Sequence, residues 1–168
     1  MMFGRRKAPE AVAALEGHRI DFAPLQEGGW IVAFPDRVVL VGESAADEQN
    51  APEPISHPWS DFEGASWNEG TRKIEFTFVD GSAPLVVTLV EGDKQKIAFV
   101  IRERVDRSIV YQEHAALPSG ARARGLVRRT DDESLFTQVI IDGMTGPADE
   151  ERVEELEASL RDVTGISE

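Results

Sequence analysis

Apolar side chains recur at alternate positions through most of the chain, and this period of two constrains the fold more than any other feature. Ile20 and Phe22 show it first, then Trp30, Val32 and Phe34, then Val39 and Val41. Successive side chains of an extended strand point to opposite faces, so such runs predict strands with one buried face. Pro35-Asp36 suits the turn between the second and third runs, because proline presets φ and aspartate bonds its own backbone. Three more strands are predicted over Phe62 to Trp67, Lys73 to Val79 and Leu85 to Val90. Asn68-Glu69-Gly70 and Asp80-Gly81-Ser82 supply the turns between them. Ile97 to Val105, Ser108 to His114, Ala121 to Arg129 and Leu135 to Ile141 extend the meander.

The period changes at the two ends. Pro9 to Leu15 reads as a short helix, with Pro9 in the first helical position and Gly17 as the stop. Ala148 to Val163 reads as an amphipathic helix whose stripe is Val153, Leu156, Leu160 and Val163, begun by Pro147 and ended by Gly165. Asp149, Glu150 and Glu151 lie in its first turn, where the helix dipole favours carboxylates. Glu43 to Pro58, rich in Ala, Asp, Glu, Asn and Pro, reads as a solvated loop. The expectation is a mainly β protein, an antiparallel bent sheet or barrel. A C-terminal amphipathic α-helix caps it, and a short N-terminal helix precedes it. Residues 1–18 form an arm and short helix, and residues 19–165 one β-rich domain.

The stretch from Trp30 to about Val105, with "WIVAFPDRVVLVG" and "PWSDFEGASWNEGTRKIEFTFVDGSAPLVVTL", resembles a bacterial pleckstrin-homology-like or GRAM-like domain. Members of that family carry a similar succession of strand, turn, an apolar run ending in Asp-Gly, and a further apolar strand. The resemblance covers under half the chain. It implies a barrel-like sheet closed by a helix, and a role in binding. Lipid-binding members carry basic residues around the first hairpin loop, whereas the corresponding loop here is Gln26-Glu27-Gly28-Gly29, so no phosphoinositide site is carried over. The strands predicted before the last helix also outnumber the usual seven.

Charge narrows the candidate partners. The formal net charge is -13, which opposes nucleic acid as a general partner because duplex affinity comes largely from cationic groups releasing counterions. There is no cysteine, which excludes disulfides, thiolate metal sites and cysteine nucleophiles and fits a reducing compartment. No apolar run approaches the roughly 20 residues of a spanning helix, and Pro9, Glu10 and Glu16 interrupt any signal-peptide core, so a cytoplasmic location is expected.

Against this acidic background, residues 101–129 hold seven Arg and three acids. Alternation predicts that Arg102 and Arg104 face away from Ile97, Phe99, Ile101 and Val105. It likewise sends Arg122, Arg124 and Arg128 away from Ala121, Ala123, Gly125 and Val127. With Ser108 to His114 between these two strands, Gln112 and His114 join the same outward surface. Two uses are open. The surface is neutralised by the protein's own C-terminal helix, within residues 130–168 that hold twelve acids, or it receives a phosphate, a lipid head group or an acidic protein segment.

No catalytic signature accompanies it. His18, His57 and His114 lie in no metal-binding spacing, Ser56, Ser60 and Ser108 lack a nucleophile elbow, and Gly-rich phosphate loops are absent. Asp131-Asp132-Glu133 lacks the alternation and glycine of a calcium loop and reads as a turn. Trp30 and Trp67 are expected in the core, with Trp59 exposed as a contact residue. Arg5-Arg6-Lys7 with Phe3 reads as a solvated arm.

These readings converge on a non-enzymatic cytoplasmic binding or adaptor domain without a cofactor or metal. It recognises a protein or an anionic ligand through Arg102, Arg104, His114, Arg122, Arg124, Arg128 and Trp59. One alternative is an enzyme in which Arg102, Arg104, His114 and Arg122 hold a small anionic substrate and His114 exchanges protons. The other is an anionic-lipid or nucleic-acid binder using the same patch.

Overall fold

The computed structural model describes residues 7–43, 52–92 and 96–165. It is mainly β, with three antiparallel sheets rather than one closed barrel. The first sheet is a meander of β1 (Asp21–Pro24), β2 (Trp30–Ala33), β3 (Arg37–Val41) and β4 (Ile55–Pro58). The second joins β5 (Phe62–Asn68), β6 (Lys73–Phe78) and β7 (Leu85–Thr88). An isolated bridge from Leu25 to Leu89 ties β1 to the end of β7, so the two sheets meet along an edge. The glycines of the β1–β2 turn permit this hairpin: Gly29 has φ +80, and a Cβ there would stand 2.1 Å from Val41 O.

Two sequence expectations fail in this half. Ile55–Pro58, assigned to a loop, is a strand paired with β3, while residues 44–51 of that loop lie outside the described residues. The larger correction concerns the segment from Ile97 to Val105, which is not a strand but part of the helix α2 (Lys96–Ser108). Ile97, Ala98, Ile101, Val105 and Ser108 are buried, which is one stripe of a helix, while Phe99 is 62% exposed. Among the described residues, seven strands therefore precede α2. This helix packs its stripe into the largest core, against Ile31, Ala33, Phe62, Ile74 and Phe76 from the two sheets.

Alternation continues on the outer side of the first sheet. Val32, Phe34, Val39 and Val41 point away from that core and are covered by Val12 of the short helix α1 (Glu10–Ala13), so β2 and β3 are buried on both faces. The expected contributions of Arg5, Arg6 and Phe3 lie outside the described residues.

The third sheet, in the order β10, β9, β8, is built from β8 (Ile109–Ala116), β9 (Arg122–Arg129) and β10 (Leu135–Asp142). A single 3₁₀ turn, Pro147–Asp149, leads into α3 (Glu150–Thr164), which ends at Gly165 in the left-handed conformation, as its sequence requires. Leu156 and Leu160 of α3 lie over Ala123 and Gly125, and a Cβ at Gly125 would come within 2.8 Å of Leu160 Cδ1. The small residues of β9 thus let α3 approach closely. No helix among the described residues is long and apolar enough to cross a membrane.

Candidate functional site

The sequence predicts one arginine face; the fold distributes those arginines over three environments. Arg102 and Arg104 lie on α2 and not on a strand, so they cannot share a sheet surface with β9. Arg102 is exposed and lies 3.9 Å from Asp106, one helical turn away. On β9, Arg122 is exposed, Arg124 is half-buried and Arg128 is fully buried. The face that carries them is therefore not an outward one throughout. Its inner part packs against the segment 59–63: Arg124 pairs with Glu63, Gln138 of β10 donates to Ser60 O, and Arg128 donates to Trp59 O.

The β8 register does bring the predicted neighbours together, with His114 opposite Arg124 and Gln112 opposite Leu126. His114 remains exposed, 3.3 Å from Gln112 through its Nε2, and shares a shallow recess of about 290 Å³ with Arg122. Arg104 lines a different, larger cleft. The four residues of the enzymatic alternative thus do not converge on one pocket.

Neutralisation by the C-terminal helix is also overturned. α3 covers the opposite face of β9, over Ala123 and Gly125, and among the described residues no ion pair joins it to an arginine of that strand. Trp59 needs correction too, since it is 4% exposed and its indole Nε1 donates a 2.9 Å bond to Phe34 O. It anchors the 3₁₀ turn Trp59–Asp61 inside the protein and is not the exposed contact residue expected. Trp30 and Trp67 are only partly buried.

Arg128 is the least expected of these side chains. Its Nη2 donates to Ser108 Oγ at 2.6 Å and to Trp59 O at 2.9 Å, while Nε and Nη1 have no hydrogen-bond partner. Burial, reinforced by the charge of Arg124 and opposed by Asp61, lowers its pKa from the ordinary guanidinium value to about 10. A buried cation without a bonded carboxylate is costly, and such groups cluster where proteins handle charge.

Directly in front of Arg128's two acceptors lies a cleft of about 460 Å³, lined by both Trp59 and Ser108. Its walls come from four elements: the β2–β3 turn with Pro35 and Asp36, the 3₁₀ turn at Trp59, the end of α2, and the β9–β10 turn. Arg104, Arg107 and Arg129 converge here because positions 104 and 107 are one helical turn apart and Arg129 ends β9. The Arg104 Nε is buried without a hydrogen-bond partner, and among the described residues Arg104 makes no ion pair.

The facing turn is held by its own side chains. Thr130 N donates to Ser134 O at 2.9 Å and Glu133 N to Thr130 O at 3.1 Å. Asp132 accepts from the Thr130 hydroxyl and from Ser134 N, bonds that keep its carboxyl well below the usual range. Glu133 reaches into the cleft, with Oε1 3.3 Å from Arg107 Nη2 and Oε2 3.5 Å from Arg129 Nε. Arg107 and Arg129 belong to the basic segment 101–129, where nothing in the local pattern sets them apart. Only the change from strand to helix aligns Arg107 with Arg104.

No group of three or more His, Asp or Glu among the described residues is arranged to hold a metal ion. The fold and cleft define a mainly β protein with an arginine-lined recess between a helix end and a hairpin. Comparison with known proteins gives no matching family model, curated protein or solved structure.

Proposed function

We propose that this chain is a non-enzymatic binding domain of pleckstrin-homology-like type, working in the cytoplasm, that captures a partner protein through an anionic group seated in the arginine cleft. Support for the type comes from chain order. A four-stranded meander, a three-stranded meander and a helix packed across both follow one another from Asp21 to Ser108, matching the seven strands usual in the family the sequence resembles. The third sheet and α3 are then an addition to that unit.

One observation carries the ligand assignment. Arg104, Arg107 and Arg129 converge on a single recess in a chain of net charge -13, and the Arg104 Nε is buried there without a partner. Guanidinium groups hold planar anions through paired N–H bonds, and a buried unbonded donor favours any ligand that supplies an acceptor. A lipid or nucleic-acid surface fits less well, since acidic residues flank the cleft and the whole molecule repels polyanions.

Cross-linked affinity capture from the native cell tests the reading, comparing the wild type with Arg104→Glu/Arg107→Glu. Arg107 is half exposed and Arg104 only partly buried, so the fold should survive the change. A partner recovered by the wild type and lost with the variant supports the cleft; a partner kept by the variant rules the cleft out.

A further inference from the structure

Glu133 occupies an unusual backbone position. It has φ +68, one of only two non-glycine residues with positive φ among the described residues, and it sits in the β9–β10 turn between a bond from its own N–H to Thr130 O and the closing bond from Thr130 N to Ser134 O. In hairpin loops of this length the left-handed position is the one that favours glycine. A glutamate there is strained, and strain of this kind is maintained where a side chain has a task. The side chain here bridges two arginines with one carboxylate, using a different oxygen for each.

We infer that Glu133 is a built-in surrogate for the ligand: the cleft takes a single carboxylate from a partner segment, which replaces the Glu133 carboxylate between Arg107 and Arg129 and gains the free Arg104. This rests on the proposed reading of the cleft as an anion site and adds the ligand class and its control. The charge around the recess selects for a monoanion. Asp36, Asp131 and Asp132 also line it, but Asp36 is already paired with Arg37 at 2.8 Å, so with Glu133 turned out the three arginines face two further acids, a net single positive charge that one carboxylate cancels and a phosphate dianion exceeds. Pro35, Pro58 and Trp59 complete the walls, which suits a neutral or apolar residue beside the carboxylate rather than an acidic run. Because Glu133 competes from within, the affinity seen for any ligand is lowered by the fraction of molecules in which it has swung away.

The test is an NMR titration of the arginine side-chain N–H signals in the full chain. The probes are acetyl-Ala-Leu-Glu-Ala-amide, its glutamine counterpart, the glutamine peptide with a free C-terminal carboxylate, and inorganic phosphate. Glu133→Gly removes the surrogate at a position glycine accepts without strain, and Glu133→Gln removes its charge alone. Both should bind the glutamate peptide at least about threefold more tightly than the wild type, and in every protein the amidated glutamine peptide and phosphate should bind more weakly than the glutamate peptide. The free-terminus peptide decides whether a side-chain or a terminal carboxylate is preferred, and a response to either supports the inference. If Arg104→Glu/Arg107→Glu abolishes binding but the Glu133 variants gain nothing, the surrogate idea falls and the anion site stands. If no protein, including Glu133→Gly, responds to a carboxylate, both fall.

Discussion

The Nη2 of Arg128 donates a 2.6 Å hydrogen bond to the hydroxyl of Ser108, joining the penultimate residue of β9 to the last residue of α2 inside the protein. The Ser108 hydroxyl in turn donates to Val105 O at 2.6 Å, and the same Nη2 reaches Trp59 O. One guanidinium nitrogen therefore connects the helix, the 3₁₀ turn and the third sheet behind the cleft.

This connection contributes geometry more than energy. A buried charge is costly to desolvate, so replacement by an apolar side chain of similar length is tolerated, whereas truncation leaves a void. Arg128→Met is expected within about 1 kcal/mol of the wild type. Arg128→Ala is expected to lose roughly 2–4 kcal/mol in urea unfolding. A Met variant as unstable as the Ala variant would show that the charge itself is required. The pH dependence has a definite sign. With the folded pKa lowered to about 10, the unfolded chain binds the proton more tightly, so wild-type stability relative to Arg128→Met rises as pH climbs through that value.

Asp149 provides an acid-side counterpart. Its carboxylate accepts from Ser119 N and from Gly146 N, both at 2.9 Å, stapling the β8–β9 turn to the start of α3. The Ser119 bond first, then the Gly146 backbone bond, lowers its pKa from 3.8. The stabilisation is therefore present above pH 3.8 and is lost as pH falls through the lower folded value. Asp149→Ala should reduce Tm at neutral pH and flatten the acid limb of a stability profile. An unchanged acid limb would assign the loss to another carboxylate.

Trp59→Phe keeps an aromatic ring at the buried position but leaves Phe34 O without its indole donor. A loss of about 1–2 kcal/mol is expected. In a Trp30→Phe/Trp67→Phe background, the remaining Trp59 fluorescence should resist acrylamide. Efficient quenching would contradict its burial.

Gly29 and Gly81 separate two costs. Both have φ near +80, but a Cβ at Gly29 meets Val41 O while one at Gly81 meets nothing within 4 Å. Gly81→Ala should cost about 1 kcal/mol from backbone strain alone, and Gly29→Ala at least about 2 kcal/mol more. Equal losses by calorimetry would mean that the β1–β2 turn moves aside freely.

Much of the β architecture is legible in the chain because alternation and turn chemistry are local. The Asp-Gly turn and the Gly165 stop follow from neighbouring residues. α2 escapes for a specific reason. Ile97, Ile101 and Val105 are spaced by four, which satisfies a period of two and a period of 3.6 alike. Phe99 completes the strand pattern and Ala98 with Ser108 the helical one, and burial of the latter pair decides it. The error propagates, because a strand placed Arg102 and Arg104 on one face and hid the alignment of Arg104 with Arg107. For the site, Arg104 alone of the expected arginines reaches the cleft.

By itself the sequence determined most of the short strands, though not Ile55–Pro58 and not the helical state of Ile97 to Val105, together with the terminal helices and the concentration of arginine in residues 101–129, since each depends on residues only a few positions apart. Tertiary structure alone decided what each arginine meets. Arg124 finds Glu63 across 61 positions, Arg128 finds Trp59 across 69, and Arg107 finds Glu133 only because a hairpin folds back over a helix end. Electrostatic partners are set by distance through space and by exclusion of water, and neither is encoded in the order of neighbouring residues.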